Sequence, residues 1–216
     1  MIRAVVFDMD GVMISSEEIW DEVREELVRE RGGAWRHEAH ATMMGMSTPE
    51  WTGYMHGELG LPMDPDEIAA EVTRRLAARY RERLPLLAGV PEAVRALAAR
   101  WPLGVASSSP QELIELVLDL AGLRRLFAVV VSSERVARGK PAPDVYLAAL
   151  DRLGVPPAEA AAVEDSSGGL RAARAAGMRV VAIPNPIYPP SPEALGVADV
   201  VLPDARALTP EAIEPA

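Results

Sequence analysis

Near its start the chain reads Ile2-Arg3-Ala4-Val5-Val6-Phe7-Asp8-Met9-Asp10-Gly11, an apolar run that ends in two aspartates and a glycine. The apolar part, interrupted only by Arg3, predicts a buried β-strand. The aspartates follow it directly, where open α/β sheets bind ligands outside the carboxyl ends of their strands. Two adjacent carboxylates are costly to bury unless a cation joins them, and Mg2+ prefers such oxygen ligands. Asp8 and Asp10 are therefore a candidate metal and phosphate site, the alternative being a turn with two solvated aspartates.

The chain contains a single lysine. Of its 22 Lys and Arg residues, only Lys140 is a lysine, and it lies between a glycine and a proline in Gly139-Lys140-Pro141-Ala142-Pro143-Asp144. Lysine is a compact point charge, whereas arginine is a wide planar fork. A lysine kept where the chain otherwise uses arginine indicates a cramped site that needs a small cation. The alternative is an incidental surface lysine.

Composition excludes several classes of function. The net charge of −10 argues against nucleic acid as a partner, because polyanions need a basic face. No stretch approaches the ~20 apolar residues of a membrane span, and the chain begins in the first strand without a signal peptide. The absence of cysteine excludes disulfides, thiol catalysis and thiolate metal sites. We therefore expect a cytoplasmic, monomeric protein with no membrane or nucleic-acid partner.

The second half of the sequence alternates short apolar runs with helical patterns. Helical spacing covers 110–121, 143–153 and 168–176, between the predicted strands. Those strands are Leu103–Ala106, Ala128–Val131, Ala160–Val163, Arg179–Ile183 and Asp199–Leu202. This alternation predicts an α/β fold with a doubly wound parallel sheet that is covered on both faces.

A purely helical segment interrupts this pattern just after the first strand. Its predicted helix starts have capping-box spacing, in Ser15 with Glu18, Ser47 with Glu50 and Asp64 with Glu67. We predict an α/β catalytic core formed by 1–14 and 86–216 and an all-helical cap formed by 15–85. The insertion point places the cap above the Asp8 and Asp10 site.

Polar side chains follow four of the strands, and their order resembles the haloacid dehalogenase superfamily. The resemblance covers nearly the whole chain and is specific to the phosphatases and phosphomutases whose small helical cap follows the first strand. The four motifs are Asp8-Met9-Asp10-Gly11-Val12, Val105-Ala106-Ser107, Gly139-Lys140-Pro141-Ala142-Pro143-Asp144 and Glu164-Asp165-Ser166. The family resemblance implies a Rossmann-like core and hydrolysis of a small phosphorylated metabolite.

The resemblance also implies the catalytic roles. Asp8 would be the nucleophile that accepts the phosphoryl group, and Asp10 would be the general acid and then the general base. Ser107 would hold a phosphate oxygen. Lys140 would offset charge between Asp8 and the phosphoryl oxygens.

The same family likeness implies the substrate cradle and the metal site. Backbone groups at Met9, Gly11 and Ser108 would complete the phosphate cradle. Mg2+ would be bound by Asp8, Asp165 and the carbonyl oxygen of Asp10. Glu164 is either a direct ligand or a neighbour of the ligands.

Departures from the family pattern favour a phosphatase. The β-phosphoglucomutase branch carries a histidine at the position of Trp20, an arginine at that of Thr48 and a cap lysine, and this cap has none of them. Ser15 also replaces the usual aspartate before the cap helix. A mutase must hold a bisphosphate intermediate in place and exclude water. Without those groups, water should react instead, so a phosphatase is favoured and a mutase is the alternative. A dehalogenase is disfavoured because those relatives need neither a metal nor a second acid, whereas this chain has Asp10 and the Glu164-Asp165 pair. A non-enzymatic protein that binds a phosphorylated ligand is the remote alternative.

Three other patterns have mainly structural interpretations. The capping-box spacing of Ser109 with Glu112 predicts that Ser109 starts a helix and does not bind phosphate. Met43, Met44 and Met46 around Gly45, with Trp51, resemble the family's substrate-facing cap turn and are a candidate specificity surface. A solvated helix face is predicted for Arg74, Arg75, Arg79, Arg81 and Arg83, the alternative being that one of them reaches a substrate anion.

Overall fold

The computed structural model describes residues 1–43 and 46–214, in which six parallel strands form one sheet. The strands are β1 (Ala4–Phe7), β2 (Leu103–Ser107), β3 (Phe127–Ser132), β4 (Ala160–Glu164), β5 (Arg179–Ala182) and β6 (Val200–Val201). Their order is β3-β2-β1-β4-β5-β6, so β1 lies between β2 and β4. The predicted doubly wound parallel sheet is confirmed.

The described part of the chain contains ten α-helices in addition to the strands. They are α1 (Glu17–Glu30), α2 (Ala39–Met43), α3 (Thr48–Gly57), α4 (Pro65–Glu82), α5 (Val90–Ala98), α6 (Gln111–Leu120), α7 (Asp144–Leu153), α8 (Ser167–Ala175), α9 (Pro192–Leu195) and α10 (Pro210–Ile213). Helices α1 to α4 lie consecutively between β1 and α5, as the helical segment of the sequence predicts. None of the described helices is both long and apolar enough to cross a membrane.

Burial on both faces of β1 explains why its sequence is continuously apolar. Val5 and Phe7 pack in the same core as α5 and α6, whereas Ala4 and Val6 pack with α7 and α8. All four side chains are at most 1% exposed. Each face therefore needs an apolar residue, and the period-two alternation of a half-exposed strand does not occur.

Two of the predicted capping boxes form and two do not. Ser47 with Glu50 starts α3 and Asp64 with Glu67 starts α4, each with both reciprocal hydrogen bonds. The predictions for Ser15 and Ser109 are wrong, because the N-cap residues of α1 and α6 are Ser16 and Pro110.

The carboxylate of Asp10 supplies the physical reason for one of these errors. The hydroxyl of Ser109 donates to an Asp10 oxygen at 2.6 Å and makes no helix cap. A hydrogen bond to a carboxylate is about twice as strong as one between neutral groups, so this tertiary contact outweighs the local capping signal.

The two segments that join helices α1–α4 to the rest of the fold run side by side. Ile14 and Leu86 form an isolated antiparallel bridge. The Ser15 N–H donates to the Pro85 carbonyl at 2.9 Å, and the Leu87 N–H donates to that of Met13 at 3.0 Å. The chain thus leaves and re-enters the sheet domain at one place.

Candidate active site

The predicted site residues converge at the carboxyl ends of adjacent strands. Asp8 follows β1, Ser107 ends β2, and Glu164 ends β4, on the other side of β1. Asp8, with Ser108 after β2 and Asp165 after β4, borders a cavity of about 430 Å3 whose other walls come from α1, α2, α3 and residues 185–190. A second groove, of about 480 Å3, lies between α5 and residues 205–210 and contains none of these residues.

Lys140 lies in a closely fitted position between two carboxylates. Its Nζ is 2.9 Å from Asp8 Oδ1 and donates to Glu164 Oε1 at 2.5 Å, and its side chain is 5% exposed. Burial alone would lower the pKa of Lys140, but the charges of Asp8 and Glu164 outweigh it and raise that pKa. Lys140 is therefore a permanent cation, and the cramped site expected from the lone lysine is present.

Asp8, Glu164 and Asp165 form a buried acidic cluster. Their carboxylate oxygens lie within 4.8 Å of one another. Burial, together with the charges of Glu164 and Asp10, raises the pKa of Asp8 to about 8 against the opposing effect of Lys140. Burial and the charges of Glu164, Asp8 and Glu17 raise the pKa of Asp165 well above its usual range. One lysine cannot balance three carboxylates, so the cluster favours a further cation.

The members of the acidic cluster differ in their hydrogen bonds. Glu164 Oε1 accepts from Lys140 and from the Tyr146 hydroxyl at 2.5 Å, and Oε2 accepts from the Asp165 N–H at 3.2 Å. Asp165 Oδ1, in contrast, is buried and has no hydrogen-bond partner among the residues that the structure describes. Such an orphaned oxygen beside Asp8 fits a hard divalent cation such as Mg2+. The geometry assigns Glu164 to Lys140 more than to a metal.

Three hydroxyl groups surround the carboxylate of Asp10. Ser16 donates to Oδ1 at 2.5 Å, Ser109 donates to Oδ2 at 2.6 Å, and Ser107 lies 3.4 Å from the same Oδ2. The Ser107 oxygen also accepts from the Ser109 N–H at 3.0 Å. Asp10 is thereby fixed in orientation at the cavity wall.

Gly11 has a different role from the one that the sequence suggests. Its N–H donates to the Ile14 carbonyl at 2.8 Å, so it is already engaged, whereas the N–H groups of Met9 and Ser108 have no backbone partner in the described part of the chain. Gly11 has φ +77°, and a Cβ there would lie 1.9 Å from Asp165 Oδ2. Glycine is needed because Asp165 approaches the backbone closely.

Several residues at the site were not identified from the sequence. Asn185 donates to Glu17 Oε1 at 2.8 Å and lies 3.4 Å from Asp165 Oδ2, which connects α1 to the acidic cluster. Tyr146 is fully buried in the first turn of α7. No motif in the sequence marks Asn185. Tyr146 lies two residues after the motif residue Asp144, and a tyrosine buried there needs a polar partner for its hydroxyl, which is a signal that could have found it.

A buried arginine that lines the cavity is also one that the sequence did not suggest; the other arginine of the lining, Arg171, is exposed. Arg75 pairs with Glu30 and Glu71, and Arg79 pairs with Glu26, so these cap arginines are held by surface acids. Arg24 instead borders the cavity, together with Trp20 and Trp51. Its signal was an arginine within the apolar stripe of α1. The suggested methionine turn is represented at the cavity by Met43 and Met46, while Met44 and Gly45 lie outside the described residues.

Known proteins resemble the chain in sequence and in fold. A family model described as haloacid dehalogenase-like hydrolase matches residues 2–177. Hexitol phosphatase B of Escherichia coli K12 is 35% identical over 214 residues, 96% of this chain and 95% of that protein. The crystal structure of CbbY from Rhodobacter sphaeroides in complex with phosphate has a TM-score of 0.85 and 29% identity over 96% of both chains. A β-phosphoglucomutase from Clostridium difficile has a TM-score of 0.83 at 22% identity, over 98% of this chain and 95% of that chain, which is a likeness of fold alone.

Proposed function

Because the chain belongs to the haloacid dehalogenase-like hydrolases and is a phosphoric monoester hydrolase, we propose that it is a Mg2+-dependent phosphatase that works through an aspartyl-phosphate on Asp8. The observation that carries this proposal is the contact of Asp8 with Lys140 beside the buried oxygens of Asp165. By similarity to hexitol phosphatase, the substrate is a small phosphorylated sugar or related metabolite. We further propose that the enzyme is a cytoplasmic monomer.

The division of the chain follows from the same proposal. The core of 1–14 and 86–216 supplies Asp8, Asp10, Ser107, Lys140 and Asp165, and the cap of 15–85 closes the cavity from the other side. Trp20 and Met43 on cap helices border the same cavity as Asp8. The cap would therefore exclude water from the first step and contact the part of the substrate beyond its phosphate.

The residues present fit a divalent metal ion. Asp8 and Asp165 would hold Mg2+ with their carboxylates, and Asp10 would hold it with its carbonyl oxygen. When bound, the ion would neutralise the excess negative charge of the cluster and polarise a phosphoryl oxygen. Glu164 would remain on Lys140 and Tyr146, whose hydrogen bonds occupy its Oε1.

The first half of the reaction transfers the phosphoryl group to the enzyme. An Asp8 carboxylate oxygen attacks phosphorus, an O–P bond forms, and the ester P–O bond breaks. Asp10 donates its proton to the departing oxygen, which leaves as an alcohol. Lys140 and the free N–H groups of Met9 and Ser108 would stabilise the charge on the phosphoryl oxygens, and Ser107 would orient one of them.

The second half releases phosphate. Water attacks the phosphorus of the aspartyl-phosphate and gives its proton to Asp10, and the bond between Asp8 and phosphorus breaks. Inorganic phosphate leaves, and both aspartates return to their starting states. The serine hydroxyls of Ser16 and Ser109 hold the Asp10 carboxyl in one orientation for both proton transfers.

Phosphate release from a panel of phosphomonoesters, with and without Mg2+, tests the proposal. Asp8→Asn keeps nearly the shape of the side chain but removes the nucleophile, so we expect a loss of about 10³-fold or more in kcat. The melting temperature and circular dichroism of the variant should match the wild type. Activity of the variant within tenfold of the wild type would refute Asp8 as the nucleophile.

A second arm of the experiment addresses the alternative reaction. The protein is supplied with a hexose 1-phosphate and the corresponding bisphosphate, and isomerisation is measured beside phosphate release. Trp20 occupies the cavity wall where the mutase branch has a histidine, so hydrolysis should dominate. Isomerisation faster than phosphate release would make the protein a mutase.

A further inference from the structure

Arg24 is a buried cation that the proposed chemistry does not use. It lies on the core-facing side of α1 and is 7% exposed. Its guanidinium carbon lies 4.5 Å from the centroid of the Trp20 ring and 4.8 Å from that of Trp51. All three side chains border the cavity that contains Asp8 and Asp10.

No group within the described residues neutralises this charge. Arg24 Nε is buried without a hydrogen-bond partner. Burial lowers the pKa of Arg24 to about 10, with Asp21 and Asp10 acting in the opposite direction through charge alone. Arg24 therefore stays protonated at neutral pH. Asp21, the acid whose charge acts most strongly on Arg24, makes no ion pair with it, and its Oδ1 lies 3.1 Å from His40 Nδ1.

A purely structural role does not account for such an arrangement. Cation–π contacts offset only part of the cost of removing a guanidinium from water, and buried arginines are normally paired with an anion. The fork of Arg24 has N–H donors suited to two oxygens of a carboxylate or a phosphate. The missing partner is therefore an anion that enters the cavity.

We propose that Arg24 binds a second anionic group of the substrate, a carboxylate or a second phosphate, while the first phosphate reacts at Asp8. The inference rests on the proposed phosphatase function and names its substrate class, which is a phosphomonoester with a further negative charge. Trp20 and Trp51 form an apolar wall beside the guanidinium and hold it in place. They would also strengthen its contact with the anion by excluding water.

Matched substrate pairs test the proposal on the wild-type enzyme. Gluconate 6-phosphate and glucitol 6-phosphate differ only in having a carboxylate or a hydroxymethyl group at the far end. Fructose 1,6-bisphosphate and fructose 1-phosphate provide the corresponding phosphate pair. We expect kcat/KM for the doubly anionic member of at least one pair to exceed that of its neutral counterpart by about ten- to a hundredfold. A preference in one pair only identifies which anion Arg24 accepts.

Variants of Arg24 connect this preference to the residue. Arg24→Met keeps an unbranched apolar stem but removes the guanidinium, and it should reduce the ratio of the two kcat/KM values to about one. Arg24→Lys keeps the charge without the fork and should give an intermediate ratio. Arg29→Met is the matched control, because Arg29 lies on the same helix but is exposed and paired with Glu25. It should leave the ratio unchanged.

Binding to the Asp8→Asn protein separates this inference from the proposed function. Calorimetry in the presence of Mg2+ measures the affinity of each pair without turnover. Preferential binding of the anionic members that depends on Arg24, together with a wild type that releases no phosphate from any of the substrates, would refute the function and support the inference. Equal kcat/KM within both pairs in an active wild type would overturn the inference, even if Arg24→Met failed to fold. An unchanged ratio in a folded Arg24→Met protein would also overturn it.

Discussion

The Lys140→Arg substitution tests whether the size of the cation at the active site matters. Lys140 Nζ lies 2.9 Å from Asp8 Oδ1 and 2.5 Å from Glu164 Oε1, and the side chain is 5% exposed. The Tyr146 ring centroid lies 5.0 Å from the same Nζ. Arginine keeps the charge but adds atoms and a planar head between the two carboxylates, at the wall of the cavity that Lys140 borders.

The expected losses follow from this geometry. Inserting extra atoms into a packed site costs about 1–3 kcal/mol, and in a protein of this size each kcal/mol lowers the melting temperature by roughly 2–4 °C. A displacement of the reacting groups by about 1 Å is sufficient for a loss of about 10²-fold in rate. We therefore expect Lys140→Arg to melt about 2–12 °C lower and to lose about 10²-fold in kcat/KM.

Phosphate release and thermal unfolding, measured on the same preparations, give both numbers. Arg138→Lys is the control, because it makes the opposite exchange two residues away at an exposed arginine that pairs with Asp144. It should stay within about threefold of the wild type, as expected for a surface ion pair. Wild-type kcat/KM in Lys140→Arg would refute the reasoning and make the single lysine incidental.

Two further predictions concern the acidic cluster. Gly11→Ala should weaken the binding of Mg2+, as measured by calorimetry, because the new Cβ displaces Asp165. Gly60→Ala is the control, because Gly60 has a comparable φ of +67° but open space around it. Both variants lose about 1–2 kcal/mol of stability from the left-handed backbone, and equal Mg2+ affinities would contradict the assigned role of Gly11. Because the pKa of Asp8 is about 8 in the metal-free folded protein and 3.8 in a model peptide, the folded state binds more protons between these values, and the free energy of unfolding falls as the pH rises through that range. At one fixed Mg2+ concentration, a hundredfold the Kd at pH 8, the ion adds about 2.7 kcal/mol at pH 8. The increase in melting temperature should be smaller at pH 5.5, where protonation of Asp8 competes with the ion, and an increase independent of pH would contradict the shifted pKa of Asp8.

The parallel sheet could be predicted because the central strands β1, β2 and β4 are buried along their whole length. β2 was expected at 103–106 and occupies Leu103–Ser107, and β4 was expected at 160–163 and occupies Ala160–Glu164. When continuous apolar runs of this length alternate with amphipathic helices, few folds other than a parallel α/β sheet are possible. The motif residues at the strand ends were predictable for the same reason, since parallel strands bring their carboxyl ends to one edge.

The errors and omissions have a common physical origin in contacts between distant residues. Ser109 has a good local capping pattern, but its hydroxyl bonds to Asp10, almost a hundred residues away in sequence. Arg24 is one of many arginines, and only its position in the buried stripe of α1, beside Val23 and Leu27, distinguishes it. Asn185 contacts Glu17 across 168 residues, and no local pattern predicts such a pair.

The antiparallel bridge between Ile14 and Leu86 has a consequence for how such proteins diversify. The outgoing and returning segments are hydrogen-bonded neighbours. The helical block α1–α4 is therefore inserted into the sheet domain at a single junction. A block of different length or sequence can be exchanged there without altering the spacing of β1 and β2, provided that it keeps the Ser16 hydroxyl that holds Asp10. The chemistry of phosphoryl transfer and the choice of substrate are thereby separable, and recombination at this junction can change one without rebuilding the other.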